Sequence, residues 1–178
     1  MMKHLFLLCL LCVAGLYAKA DTPQWIFDLQ QKNVGLIDSI RVYDPNPEGA
    51  GYTSYIIYYN QPLRHADASS QRFHLRALLT VDNGMDPTTA VNHVYCSGYN
   101  LMEDFLASPY SAFARTIDCS TEIAHRYRAN FIQIEHRYFQ YSAPNNCWEQ
   151  LDDLRAEEAA QDFHALIGAL KTVRKASL

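Results

Sequence analysis

Residues 130–171 read NFIQIEHRYFQYSAPNNCWEQLDDLRAEEAAQDFHALIGALK, a stretch that passes from a strand pattern through a polar loop to a helix pattern. The run from Phe131 to Ile134 is short, apolar and rich in β-forming residues, which is typical of a buried strand. Three ionisable residues follow where this strand would stop, at the position where open α/β sheets carry their chemistry. Further along, apolar residues recur at spacings of three and four and predict one buried helical face: Ala159, Phe163, Leu166, Ile167, Leu170 and Val173.

Three further strands are expected upstream of this stretch. The β patterns at 52–59 and 72–81 are joined by a polar loop at 65–71, which predicts an antiparallel pair. A third strand at 90–95 is followed by a polar connection and a helix near 121–126. The order strand, helix, strand, helix is typical of a mostly parallel sheet with flanking helices. We therefore expect an α/β fold, the N-terminal part of an α/β-hydrolase that stops before the nucleophile elbow, because G-x-S-x-G does not occur.

The first twenty residues have the pattern of a secretory signal peptide. Lys3 provides a basic start, residues 5–16 are apolar, and Ala18-Lys19-Ala20 has the small-x-small form of a cleavage site. A membrane anchor is less favoured, because about 12 apolar residues fall short of the roughly 20 that span a bilayer. We expect a signal peptide at 1–20, a lead-in at 21–51 and the main domain at 52–178. The mature protein would be secreted or periplasmic, with no membrane association.

Charge and cysteine content exclude several classes of partner. The net charge of −4 becomes −6 on signal cleavage, because Lys3 and Lys19 leave and no acidic residue does, so no nucleic-acid partner is expected. Cys96, Cys119 and Cys147 remain in an oxidising compartment, where one disulfide and one free thiol are expected and the pairing stays open. Their spacing does not fit a zinc knuckle. We expect neither a metal nor a cofactor.

Gly98 and Tyr99 follow the third expected strand. In the hydrolase architecture this position supplies a backbone N–H to the oxyanion hole, and a glycine allows close approach of a substrate. An ordinary turn that ends the strand is the competing interpretation.

Glu135, His136 and Arg137 would be costly to bury unless they pair. Arg137 is the best candidate for a structural clamp, with loop carbonyls or a carboxylate such as Glu135 or Asp162 as its partner. His136 is interpreted as hydrogen-bonded scaffold rather than a catalytic base. A thiol hydrolase that uses Cys96 or Cys119 with His136 is a minor alternative.

Two blocks of this sequence resemble the secreted bacterial tripeptidyl aminopeptidases, serine exopeptidases of the α/β-hydrolase fold related to the lysosomal prolylcarboxypeptidases. The first block runs from Tyr55 through QPLRH at 61–65 to QRF at 71–73 and is followed by Gly98 and Tyr99. The second is EHRYFQYSAP at 135–144, followed by Trp148, Leu151, Ala159, Ala160, Asp162, His164 and Lys171. Relatives often have Asp where Arg64 stands and Gly near Gln140.

The resemblance implies a peptidase that releases short peptides from free N-termini. It implies Glu135, His136, Arg137, Ser142 and Asp162 as site-supporting residues and places no catalytic residue in this chain. The family's serine, aspartate and histidine would all lie beyond Leu178, so this chain alone is expected to be inactive. A secreted non-catalytic binding module is the alternative, and the oligomeric state stays open.

Overall fold

The computed structural model of the chain describes residues 22–43, 51–96, 101, 122–149 and 151–175. Within these ranges there are three α-helices, α1 (Gln24–Lys32), α2 (Glu122–Arg126) and α3 (Ala156–Lys171). The strands are β1 (Ile37–Tyr43), β2 (Tyr52–Pro62), β3 (Arg72–Asp82), β4 (Asn92–Tyr95) and β5 (Asn130–Ile134). Short 3-10 turns at Gln140–Ser142, Cys147–Glu149 and Leu151–Asp153 connect β5 to α3.

The five strands form one sheet in the order β1-β2-β3-β5-β4. β2 and β3 pair antiparallel along their whole length, from Tyr52 opposite Asp82 to Pro62 opposite Arg72, which confirms the predicted antiparallel pair. β1 pairs with β2 and β5 with β3, also antiparallel, whereas β4 and β5 are parallel. β5 therefore lies between β3 and β4 and joins the two halves of the sheet.

The prediction of a mostly parallel sheet with flanking helices, as in the N-terminal part of an α/β-hydrolase, is wrong. Three of the four strand pairings are antiparallel, and only β4 and β5 run in the same direction. For β1–β2 and β2–β3 the physical reason is the short link between the strands, because a parallel crossover needs a dozen or more residues. The strand-and-helix alternation applies only to the segment from β4 to α3, and its extension to the whole sheet is the error.

The main core lies between one face of the sheet and two helices. α1 contributes Ile26 and Leu29, and α3 contributes Leu166 and Leu170, against buried residues of β2, β3 and β5. The predicted apolar face of α3 is confirmed in outline, since Ala159, Leu166 and Leu170 are buried while Phe163, Ile167 and Val173 are partly covered. The opposite face carries a smaller cluster of Ile56, Leu78 and Leu101.

The lead-in at 21–51 contributes α1 and β1, which the sequence patterns did not predict. β1 extends the sheet beside β2, and its Ile37 is buried in the main core. The predicted signal peptide at 1–20 lies outside the described residues, as does most of the break around residues 44–50. Within the described ranges, no helix is long and apolar enough to cross a membrane.

Candidate functional site

Arg137 and Asp162 form a fully buried ion pair between the loop after β5 and the helix α3. Arg137 Nε donates to Asp162 Oδ2 at 2.7 Å and Nη2 donates to Oδ1 at 2.9 Å, and neither side chain has measurable exposure. The remaining guanidinium protons reach the carbonyl oxygens of Leu63, Pro62 and Asp153 at 2.8, 3.1 and 3.2 Å. The predicted structural clamp is confirmed, with Asp162 as its carboxylate. We call this pair the Arg137–Asp162 clamp.

The loop after β2 is attached to the segment around the start of α3 by three more polar links. His65 Nε2 lies 2.9 Å from Asp162 Oδ1, and the backbone N–H of His65 donates to Glu158 at 2.8 Å. Arg64 Nε donates to Asp153 Oδ1 at 2.7 Å, which raises the pKa of the guanidinium. Together with the clamp, these contacts fix the end of β2 against α3.

A second buried network surrounds Glu135 at the end of β5. Arg76 of β3 donates from Nε and Nη2 to the two oxygens of Glu135, both at 2.8 Å. Ser142 Oγ donates to Glu135 Oε2 at 2.8 Å and accepts from the backbone N–H of Arg76 at 3.0 Å. The carboxylate also accepts the backbone N–H of Leu101 at 2.9 Å. Glu135 therefore pairs with Arg76 rather than with Arg137.

The turn between these two networks is conformationally unusual. Tyr138 and Gln140 have φ values of 71° and 37°, a left-handed region that favours glycine and costs other residues about 1 kcal/mol or more. Gln140 Oε1 accepts from Arg76 Nη2 at 3.0 Å, and the exposed ring of Tyr141 lies 4.4 Å from the Arg76 guanidinium carbon.

His136 is half-buried and belongs to the scaffold of this turn. Its Nδ1 lies 2.9 Å from the backbone oxygen of Arg137, and its ring packs edge-on against Phe139 and Phe163. This arrangement agrees with the interpretation of His136 as hydrogen-bonded scaffold. His164, another residue of the second resembling block, is exposed on α3.

Tyr59 of β2 lies beside the clamp in the main core. Burial raises the pKa of its phenol well above the ordinary value, and the nearby Asp162 carboxylate raises it further. Its hydroxyl has no hydrogen-bond partner among the residues that the structure describes. Tyr59 therefore stays neutral at any physiological pH and serves as core rather than as a proton carrier.

Some of the predicted site residues are not described by the structure, and the two described cysteines are apart. Gly98, Tyr99 and Cys119 lie outside the described residues. Cys96 is an exposed free thiol and Cys147 a partly buried one, so these two cysteines are not bonded to each other. Among the described residues, no cluster of His, Cys, Asp and Glu could hold a metal ion.

The arrangement fixes the backbone but does not activate a nucleophile. Ser142 is fully buried and its hydroxyl is held by a carboxylate, and in the described part of the chain no serine or threonine hydroxyl is hydrogen-bonded to a histidine. His65 and Asp162 resemble two members of a triad, yet Asp162 is already engaged by Arg137. The groups present can position loops, exclude water and hold charge.

Sequence reasoning did not single out Arg76, His65 or Asp153 as parts of these networks. A signal existed for Arg76, because a charged residue within the otherwise apolar run LRALLTV at 75–81 needs a buried partner. His65 was marked only by its place in the resembling block QPLRH at 61–65, and no pattern marked Asp153. In comparisons with known proteins, no family model matches this chain, and no curated protein matches it significantly in sequence.

Proposed function

We propose that this chain is the N-terminal part of a secreted serine aminopeptidase of the tripeptidyl type. In this proposal it builds the scaffold beside the active site and does not supply the attacking groups. The serine, aspartate and histidine come from residues beyond Leu178, as the resemblance implies. Gly98 and Tyr99, which lie outside the described residues, are the candidates that the resemblance implies for the oxyanion donors.

The observation that carries the proposal is that the two resembling blocks meet in one buried network. Arg137 of the second block binds the carbonyl oxygens of Pro62 and Leu63 in the first. Asp162 of the second block contacts His65 of the first at 2.9 Å. Residues from the two blocks are thus direct partners although they are distant in sequence. This contact supports the resemblance independently of the sequence pattern.

The proposed division of labour follows from ordinary acyl-transfer chemistry. A serine attacks the carbonyl carbon of the third peptide bond from a free N-terminus, and a histidine takes the hydroxyl proton and later gives it to the leaving amine. The developing oxyanion needs donors that are already in place, because their reorganisation would otherwise raise the barrier. The buried networks around Arg137 and Glu135 make the described scaffold rigid, since their side chains are held by several charge-assisted hydrogen bonds.

The test compares this chain with a version extended through the coding sequence that follows Leu178. Both are assayed with a tripeptidyl chromogenic substrate and with its N-acetylated form. The extended polypeptide should release the chromophore only from the free amine and should bind a serine-directed fluorophosphonate. Residues 21–178 alone should do neither.

Two results would contradict the proposal. Cleavage by residues 21–178 alone would show that the catalytic groups are within this chain. A coding sequence without a G-x-S-x-G segment beyond Leu178, together with inactivity, would favour the secreted non-catalytic binding module instead.

We propose secretion on the pattern of residues 1–20. When the full sequence is expressed with its own start in an exporting bacterium, N-terminal sequencing of the exported protein should begin at Asp21. A protein that keeps Met1, or that stays with the membrane fraction, would contradict both the predicted cleavage and the proposed localisation.

A further inference from the structure

β4 is the last strand on one side of the sheet, and its outer edge is open. β5 occupies the inner edge, and no other strand in the described part of the chain pairs with β4. The backbone N–H of Asn130 donates to the carbonyl oxygen of Val91 at 2.8 Å, so this carbonyl faces β5. Because backbone groups alternate between the two edges of a strand, the N–H and C=O groups of Asn92 and Val94 face outwards. They can pair with a further strand.

The two outer edges of the sheet differ in how they are protected. Natural edge strands avoid unwanted pairing by means of charged residues and bulges. β1 has both, because it contains Asp38 and Arg41 and its register with β2 shifts between Ile37 and Ser39. β4 reads NHVY, contains no Asp, Glu, Lys or Arg, and pairs with β5 in a regular register. The edge of β4 therefore lacks the features that keep an edge strand unpaired.

An apolar groove lies beside this open edge. It has a volume of about 450 Å³ and is lined by Val91, Asn92, His93, Ile123, Tyr127 and Ala129. The side chains of Val91 and Ile123 are each 60% exposed and that of Tyr127 is 66% exposed. Neighbouring exposed apolar side chains are typical of an interaction site. The edge is thus open for backbone pairing and is flanked by apolar surface.

The chain leaves α3 beside the start of β4. The backbone N–H of Lys175 donates to the carbonyl oxygen of Thr88 at 3.0 Å. The guanidinium group of Arg174 donates to the carbonyl oxygens of Thr89 and Ala90. These acceptors lie just before β4 in the chain, so the backbone that follows Lys175 starts next to the first residues of β4.

The handedness of crossover connections gives the direction of the next step along the sheet. Phe131 clusters with Ala124 of α2, and it lies on the face opposite its neighbour Ile132 of the main core. The connection from β4 to β5 through α2 and the connection through α3 therefore lie on opposite faces. Crossovers are nearly always right-handed, so two that lie on opposite faces step in opposite directions. The step from β4 to β5 runs inwards, and a step through α3 runs outwards to the open edge of β4.

We infer that the open edge of β4 is the docking site of a further β-strand, which is supplied in cis by the polypeptide that follows Lys175. This strand runs parallel to β4, because it starts beside the residues that precede β4. Its backbone binds the outward groups of Asn92 and Val94, and its side chains cover the groove at Val91 and Tyr127. The sheet stays largely antiparallel. The pairing is independent of the proposed function, since it concerns a sheet edge and not a reaction.

Amide hydrogen exchange followed by NMR tests this pairing in two chains of different length. One is the chain that ends at Leu178, and the other is extended through the coding sequence that follows. In the shorter chain the Val94 amide should exchange fast, and the amide of His93, which faces β5, should exchange slowly. In the extended chain the exchange of Val94 should slow by about tenfold or more, while that of His93 changes by less than about twofold.

Arg174→Met in the extended chain tests how the chain is directed to β4. It removes the hydrogen bonds to the carbonyl oxygens of Thr89 and Ala90, so the Val94 amide should exchange about fivefold faster than in the unchanged extended chain. Lys171→Met is the matched control, because it removes an equal charge from an exposed position of α3 and should leave Val94 unchanged.

Several results would overturn this pairing. Slow exchange of Val94 in the chain that ends at Leu178 would show that the edge is already covered, and slowing that increases with protein concentration would assign the edge to a second copy. Fast exchange in the extended chain, or a coding sequence that stops after Leu178, would leave no strand in cis. Equal effects of Arg174→Met and Lys171→Met would also contradict it. If Val94 is protected in an extended polypeptide without peptidase activity, the proposed function fails and the pairing is supported.

Discussion

Replacing Asp162 with Asn should destabilise the protein by about 3 kcal/mol. The carboxylate is fully buried and accepts two hydrogen bonds from Arg137 and a contact from His65. The amide has nearly the same shape, but its NH2 group faces guanidinium donors and its neutral charge leaves Arg137 buried without a counter-ion. Breaking a buried pair typically costs about 3–5 kcal/mol. We expect the lower end, because three carbonyl oxygens still bind Arg137.

Urea denaturation followed by tryptophan fluorescence measures this loss. With a slope of about 2 kcal/mol per molar urea, the midpoint should fall by about 1.5 M at an unchanged slope. Lys175→Met is the control, since it breaks the exposed ion pair between Lys175 and Asp86. That variant should leave the midpoint within experimental error, because water screens the pair.

A double variant separates the cost of the lost pair from other effects. Arg137→Met combined with Asp162→Leu removes both charges, so no buried charge is left unpaired, and it should be more stable than the sum of the single losses implies. A midpoint for Asp162→Asn within about 0.3 M of the unchanged protein would refute the reasoning. So would a double variant whose loss equals the sum of both single losses.

The remaining predictions concern the turn, the thiols and one carboxylate. Gln140→Gly should change the free energy of unfolding by less than about 1 kcal/mol, because relief of the left-handed strain offsets one lost hydrogen bond. Gln140→Ala keeps the strain and should lose about 1 kcal/mol. Equal unfolding midpoints for the two variants would contradict this prediction. A thiol reagent should label Cys96 faster than Cys147 under native conditions, and equal rates would contradict the difference in exposure. Hydrogen bonds from Thr88 and then Lys175 lower the pKa of Asp86 to about 2. The folded pKa lies below the unfolded value of 3.8. The stabilisation of the folded protein by these hydrogen bonds is therefore complete above pH 3.8 and is lost as the pH falls towards 2. An NMR titration should show a low midpoint that rises in Thr88→Val, and an unchanged midpoint would contradict the assignment.

Local sequence patterns predicted the elements from β2 to α3 with small errors at their ends. The alternating and β-branched residues of 52–59 and 72–81 are found in β2 and β3. The three-and-four spacing expected from Leu151 onward is found in α3, which begins five residues later at Ala156. Such patterns report which face of a segment is apolar, a property of neighbours along the chain. They also located the clamp residue Arg137, because a charge at the end of an apolar strand needs a partner.

Strand order and the identity of charge partners were decided only by the tertiary structure. The apolar pattern of β5 does not show which strands are its neighbours. Its place between β3 and β4 depends on how the whole sheet packs. Likewise, the sequence left open whether Glu135 or Asp162 binds Arg137, and the pairing of Glu135 with Arg76, 59 positions away in the chain, follows from the register of β3 and β5.

The sequence by itself therefore determined the strands and helices from β2 to α3 and identified Arg137 as a charge that needs a buried partner. The tertiary structure decided that the sheet is mixed and largely antiparallel, that the lead-in supplies α1 and β1, and which carboxylate each buried arginine binds. The physical reason is range: hydrophobic periodicity acts between neighbours a few residues apart, whereas strand pairing and buried ion pairs join groups that only the folded chain brings together.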